Sequence, residues 1–145
     1  MALNLLIMCV GIESVGHLER VTAKELADAK RLNEPPYLKH WTRNRPRRAD
    51  ELSAGGSLYW IIKGAIRVRQ PIVGIEALEN PVGGKRCCIL YGPELIRTLP
   101  VPRDPMQGWR YLEAKDAPPD LESVPEEAGD MPPEMVAELR SLGLL

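Results

Sequence analysis

From Leu58 to Tyr91 the sequence carries the marks of β-strands separated by turn residues, and this stretch constrains the fold more than any other. Leu58–Ile62 is an unbroken apolar and aromatic run, and Ile66–Ile75 is rich in β-branched residues. Asn80–Gly84 supplies a proline and two glycines for a turn, after which Arg86–Tyr91 returns as a partner strand. Gly64 and Pro71 punctuate the pattern. One helix followed by several strands with short connections predicts an α+β chain with a small, largely antiparallel, barrel-like sheet. The strand–helix–strand rhythm of a parallel sheet is missing.

The flanking segments complete the outline. Leu3–Val10 predicts a buried first strand, and Gly11 breaks it. Ser14 can cap a helix whose apolar residues Val15, Leu18, Val21, Leu26, Ala29 and Leu32 recur at steps of 3, 3, 5, 3 and 3. Thr22-Ala-Lys-Glu25 also has the form of a capping box, so the stripe fits either one helix or two with a break near Arg20. Asn33-Glu-Pro-Pro36 ends the helical segment. Tyr37–Thr42 predicts a short strand, and Ala49–Leu52 one helical turn before Gly55-Gly56. Nine of the 14 prolines fall from Pro93 onward. Pro93–Met106 is therefore expected to be a loop, because proline lacks the amide donor a ladder needs. Gln107–Leu112 is a last strand or a loop on the sheet. Residues 1–112 are expected to form a single domain, 113–131 an acidic proline-rich linker, and 132–145 a short helix. That helix would start at Pro133 and place Met135, Leu139 and Leu142 on one face. A total of 145 residues suits one domain of this kind.

The apolar start lacks both the preceding basic residues and the following small-residue site of a signal peptide. No uncharged apolar run is long enough to span a membrane. Three cysteines, Cys9, Cys87 and Cys88, give an odd count with no CxxC spacing, which fits reduced thiols in a cytoplasmic protein. Isolated His17 and His40 do not complete a zinc site with them. Gly83-Gly84-Lys85 and Gly55-Gly56-Ser57 lack P-loop spacing, and no GxSxG is present. Nothing in the pattern calls for a cofactor or metal, and no catalytic residue stands out. Acid–base chemistry could draw on Asp50 and Glu51, or on Cys87 with His40. Plain ion pairs of Arg47 and Arg48 with Asp50 and Glu51 account for the first pair as well.

The formal charge of −1 hides a division. Residues 1–112 hold 17 Lys+Arg against 11 Asp+Glu, whereas 113–145 hold 2 against 9. A basic body thus carries an acidic tail, and the tail is expected to screen the body or compete for its partner. From Lys39 to Arg48 there are five positive residues and no negative one, interleaved with His40 and Trp41. Arg45, Arg47 and Arg48 belong to this cluster. If Ala65–Arg69 is extended, Ile66 and Val68 face inward while Arg67 and Arg69 face out. Should the strand pass straight through Gly64, Tyr59, Ile61 and Lys63 share that outer face. Cations beside exposed aromatics suit phosphates with stacked bases, although a solvated strand face explains the same pattern. In the block Gln107-Gly-Trp109-Arg110-Tyr111, Gln107, Trp109 and Arg110 can frame a planar ligand by stacking and edge hydrogen bonds. Equally, Trp109 and Tyr111 can pin the loop to a core that contains no Phe.

Two blocks carry a resemblance. Pro46-Arg-Arg-Ala-Asp-Glu-Leu52 with Gly55-Gly-Ser-Leu-Tyr-Trp-Ile-Ile-Lys-Gly64 and Arg69-Gln70, and later Gln107–Leu112 with Ala117-Pro118, resemble a bacterial family of unknown function seen mainly in alphaproteobacteria. The likeness spans roughly residues 3–121 and implies no activity. The Lys63-Gly64 junction with Arg67 and Arg69 behind it is similar to PUA-like small β-barrels, including ASCH and EVE domains. Here Val68 precedes Arg69 where the ASCH pattern has an acidic residue. Many domains of that PUA-like group bind RNA or modified nucleobases. The basic body with its placed aromatics leads to the expectation of a domain that binds RNA or a nucleotide-like ligand without catalysis. The alternatives are a small enzyme acting on a phosphate- or carboxylate-bearing substrate, with arginines as clamps, and a protein-interaction module.

Overall fold

Two residues make the turn at the centre of the sheet. In the computed structural model, which describes residues 2–80, 83–104 and 106–121, strands β3 (Ser57–Ile62) and β4 (Ala65–Glu79) are joined by Lys63-Gly64 alone. Both residues have positive φ, 51° and 76°. This is the type I′ geometry that matches strand twist, and glycine adopts it without steric cost. The strand therefore does not pass straight through Gly64, and Lys63 sits in the turn, away from the strand face it was expected to share with Tyr59. Arg67 fastens the hairpin, its Nε and Nη2 donating to the carbonyls of Ile62 and Lys63 at 2.7 and 3.4 Å.

Among the described residues the chain forms seven strands and two α-helices. The sheet order is β2 (Leu38–Thr42), β5 (Lys85–Tyr91), β4, β3, β1 (Asn4–Met8), β7 (Trp109–Leu112), with β6 (Ile96–Pro102) added to β4. The ladders are antiparallel except β1 with β3, which is parallel. That one parallel pair needs a long crossover, and helix α1 (Val15–Arg31), β2 and helix α2 (Ala49–Ser53) lie within it. The sheet is thus largely antiparallel, as expected, with this one parallel pair.

β4 is bent. Its residues 65–71 pair with β3, while 72–79 pair with β5. Register shifts at Arg67 and Val73 leave each as an extra, unmatched residue. Pro71 lies between the two halves, where β6 has ended and β5 begins. Its carbonyl accepts from Gly92 N at 2.8 Å, and no ladder donor is required of it there. In a flat sheet β2 and β3, three spacings apart, would be separated by roughly 14 Å. Instead His40 of β2 meets Trp60 of β3 edge to face at 6.1 Å, and Tyr91 of β5 meets the same indole at 5.8 Å. The sheet curls over its own inner face but stays open, so the closed barrel is not formed: β2 and β7 remain edge strands.

Curling gives two cores. The larger gathers Leu5, Ile7, Leu58, Trp60, Ile62, Val68 and Ile89 with Val15 and Leu18 of α1 and Leu52 of α2. On the outer face Leu6, Tyr59, Ile61, Ile66 and Leu112 form a smaller cluster, with Met106 and Ala117 packed against it. β3 is buried on both faces for this reason, which accounts for its unbroken apolar run. Ile66 and Val68 do not face the same way, because the bulge at Arg67 puts them in different clusters.

α1 is continuous, so of the two readings the single helix without a break near Arg20 is the one formed. Ser14 caps it, its Oγ accepting from His17 N at 3.0 Å, and Thr22 is a buried interior residue instead of a second cap. It ends in a Schellman motif: Glu34 N bonds Ala29 O and Asn33 N bonds Lys30 O, with Asn33 at φ 59°. Leu32, placed on the apolar stripe, is exposed. The loop expected over Pro93–Met106 contains β6, prolines 100 and 102 included. This is possible because β6 has a full ladder only with β4, its other edge making a single isolated bridge at Thr98. Residues 113–121 pack on the sheet: a 3-10 turn at Ala114–Asp116 leads to Pro119, whose carbonyl accepts from Leu99 N at 2.9 Å. The helix expected over 132–145 lies outside the described residues. None of the described helices is long and apolar enough to cross a membrane.

Gly56 is where the chain approaches itself most closely. A Cβ there would collide with the carbonyl oxygens of Leu3 and Leu52, both backbone atoms that cannot rotate away. Gly56→Ala should lower stability by at least about 2 kcal/mol, read as a reduced urea midpoint.

Candidate functional site

Curling brings the two edge strands to one opening. β2 and β7 stand five spacings apart in the sheet order, roughly 24 Å if it were flat, yet both line the same cavity. This cavity, about 660 Å³, is walled by Ile7, Met8, Val10, Trp41, Met106 and Trp109, with His40, Arg43 and Gln107 among its polar groups. A second cavity of about 400 Å³ adjoins it, lined by Arg43, Arg45, Arg47, Asn44, Trp109 and Tyr111. The two share Thr42, Arg43 and Trp109. One half of the seam is thus aromatic and apolar, the other guanidinium-rich.

Trp109 and Tyr111 alternate onto the same face of β7 and meet edge to face at 5.0 Å. Tyr111 is committed to the framework. Its hydroxyl accepts from Arg48 N at 3.2 Å, and the Arg48 guanidinium lies 5.5 Å over its ring. Trp109, half-buried, packs against the main core and presents its remaining surface to both cavities. His40 stands in the cleft wall against Trp60. Burial pushes its pKa below the ordinary value of 6.5, so the ring is held neutral.

The expected site residues divide sharply. Arg45, Arg47, Gln107 and Trp109 come together at the seam. Arg45 also pairs with Asp50 at 3.1 Å, whereas Arg47 and Arg43 form no ion pair among the described residues. Arg48 is engaged by Glu51 at 2.6 Å and Glu113 at 2.8 Å, and these two carboxylates push its pKa upward. Lys63 pairs with Glu13 at 2.6 Å, and Arg67 serves its hairpin. Arg69 forms a two-pronged pair with Asp120, and Tyr59, buried beside it, belongs to the outer cluster. Arg110 alternates to the face of β7 opposite Trp109 and donates to the carbonyls of Gln107 and Trp109. The seam also holds residues outside the expected binding set: His40, Trp41, Arg43, Met106 and Val10. Trp41 and Arg43 carry only the signal of the basic cluster, and His40 carries that signal and its candidacy as an acid–base partner of Cys87. Val10 and Met106 had none, since only the closing of β1 and the 106–108 turn onto β2 makes them neighbours.

A family model described as "Protein of unknown function (DUF1489)" matches residues 5–145, nearly the whole chain. The chain belongs to the DUF1489 family. No curated protein and no solved structure matches it. DUF1489 membership agrees with the resemblance to an uncharacterised family seen in the two sequence blocks, and it leaves the seam as the feature from which function must be argued.

The neutral His40 ring has a consequence for stability. Its folded pKa lies below the unfolded value of 6.5, so its contribution is complete above pH 6.5 and is lost as pH falls through that value toward the folded pKa. Between pH 7.5 and 5.5 the urea midpoint of the wild-type chain should drop more than that of His40→Leu. Equal drops would show that the ring is not held neutral.

Proposed function

We propose that the seam between β2 and β7 binds nucleotide units of single-stranded RNA, without catalysis. The observation that carries this reading is the shared wall of Thr42, Arg43 and Trp109 between an apolar, tryptophan-lined cavity and an arginine-lined one. A base can stack in the first while its phosphate meets Arg43 and Arg47 in the second. The volumes, about 660 and 400 Å³, fall in the range of ligand sites. Gln107 at the rim offers both a donor and an acceptor to a base edge. The weaker likeness to PUA-like domains implies the same class of ligand.

An enzyme acting on an anionic substrate would need a set of acid–base or nucleophilic groups at the seam. There His40 is the one imidazole among the described lining residues, and no carboxylate or thiol joins it. Asp50 and Glu51 are paired with Arg45 and Arg48. Cys9, packed against the main core, has its thiol pushed up to about 11 by burial, which disfavours the thiolate. These observations favour binding over chemistry.

Binding of a fluorescent unstructured RNA 12-mer at 50 and 200 mM salt tests the proposal. Affinity of the wild-type chain should fall steeply with salt. Trp109→Ala should weaken binding about 10-fold at either salt, the scale of one lost stacking contact. Arg43→Ala and Arg47→Ala should each lower the salt slope by about one. Absence of binding at 50 mM salt would sink the proposal.

The acidic tail should act against such binding. Ending the chain at Leu121 leaves 18 Lys+Arg against 14 Asp+Glu, while keeping Glu113 and Asp120 on their arginines. This truncation should bind the RNA more tightly than the full chain at 50 mM salt, and equal affinities would show that the tail does not compete.

A further inference from the structure

On the opposite side of the sheet from the seam, the chain holds a second polar cavity. We infer that it is a binding pocket for a small carboxylate, occupied by the chain's own Asp120. Its volume is about 360 Å³, and its walls include Asn4, Ser57, Tyr59 and Arg69 from the sheet and Asp120 from the segment that crosses it.

The receptor half is built without reference to Asp120. Asn4 is on β1, Ser57 and Tyr59 are on β3 and Arg69 is on β4, three adjacent strands of the ladder. Asn4 Oδ1 accepts from Ser57 N at 2.9 Å, and Ser57 Oγ in turn accepts from Arg69 Nη1 at 2.9 Å. This chain of bonds orients the guanidinium so that Nε and Nη2 point outward as a fork. The fork donates to the two carboxylate oxygens of Asp120 at 2.8 and 3.0 Å, the planar bidentate geometry that suits a carboxylate. Arg69 holds the Asp120 carboxyl below its ordinary range.

Asp120 reaches the fork differently. It stands outside the named strands, on a segment joined to β6 through the bond of Leu99 N to Pro119 O and an isolated bridge at Thr98. The Arg69 side chain is only 22% exposed. If the segment lifts, the fork loses its carboxylate, and an anion of the same planar shape is the group that satisfies it best. The open volume beside the pair gives a small acid room to enter.

Replacing the internal carboxylate and supplying an external one tests this. In full-length Asp120→Ala, titration with sodium acetate at an ionic strength held constant with chloride should raise Tm saturably by a few degrees. The wild-type chain should respond much less, and Asp120→Ala combined with Arg69→Met should not respond. If Asp120→Ala does not fold in chloride, refolding in acetate alone is expected, and the near-isosteric Asp120→Asn carries the same titration. Acetate and chloride acting alike on Asp120→Ala and on Asp120→Asn would overturn the inference and leave Arg69–Asp120 a structural ion pair.

Discussion

The bend of β4 is the constraint on which the other features depend. A fifteen-residue strand cannot serve one flat sheet here, because its first half must satisfy β3 and β6 while its second half satisfies β5. Bulges at Arg67 and Val73 take up the mismatch, and Pro71 falls at the gap between β6 and β5. Bulges strengthen local twist, and twist carried through the sheet brings β2 over the face of β3. Trp60 is the measure of that closure, with His40 on one edge and Tyr91 on another. Its indole Nε1 donates to the fully buried Gln70 Oε1 at 2.9 Å, which ties the ring back to β4. Because the sheet curls without closing, its two edges meet at a seam instead of a ladder, and the seam is the largest opening described above.

Electrostatics follows from the same geometry. The body carries more arginines and lysines than carboxylates, yet most of the basic residues singled out from the sequence are engaged within the protein. Arg48 and Arg69 are matched by Glu113 and Asp120, carboxylates from the start of the acidic tail. Part of the charge division is therefore internal pairing. The exposed Arg48–Glu113 pair contributes little to stability, the Arg69–Asp120 pair is partly buried, and both remove cations from the surface available to a partner. What remains unpaired among the described residues near the seam, Arg43 and Arg47, is small in number but placed beside two tryptophans.

Local signals were legible wherever a short stretch sets its own geometry. The Ser14 cap, the Asn33 ending of α1, the strands around Gly64 and the single turn at Ala49 all rest on neighbours within a few residues. Errors arose where distant chain decides. A bulge is invisible in a pattern of alternating residues, so the faces of Ile66 and Val68 were misassigned. Pro100 and Pro102 argue against a strand only if the strand has two full ladders, and β6 has one, to β4, with a single bridge at Thr98 on its other edge. Half of the seam was legible, since Arg45, Arg47, Gln107 and Trp109 stood out as types. Trp41 and Arg43 stand out only as part of a basic run, His40 there and as a possible partner of Cys87, and Val10 and Met106 not at all.

By itself the sequence determined the kinds of element, their order, the family and the inventory of chemical groups. These depend on backbone preferences and side-chain types, which act over a few residues. The tertiary structure alone decided which arginines are spent and which are presented. It also decided which face Tyr59 takes, and that β2 and β7 should oppose each other. Those outcomes depend on contacts between residues 50 or more positions apart, such as Arg69 with Asp120 and Arg48 with Glu113, and on a bend whose direction only the assembled sheet sets. Pairing of charges is a property of distance in space, and no local pattern encodes it.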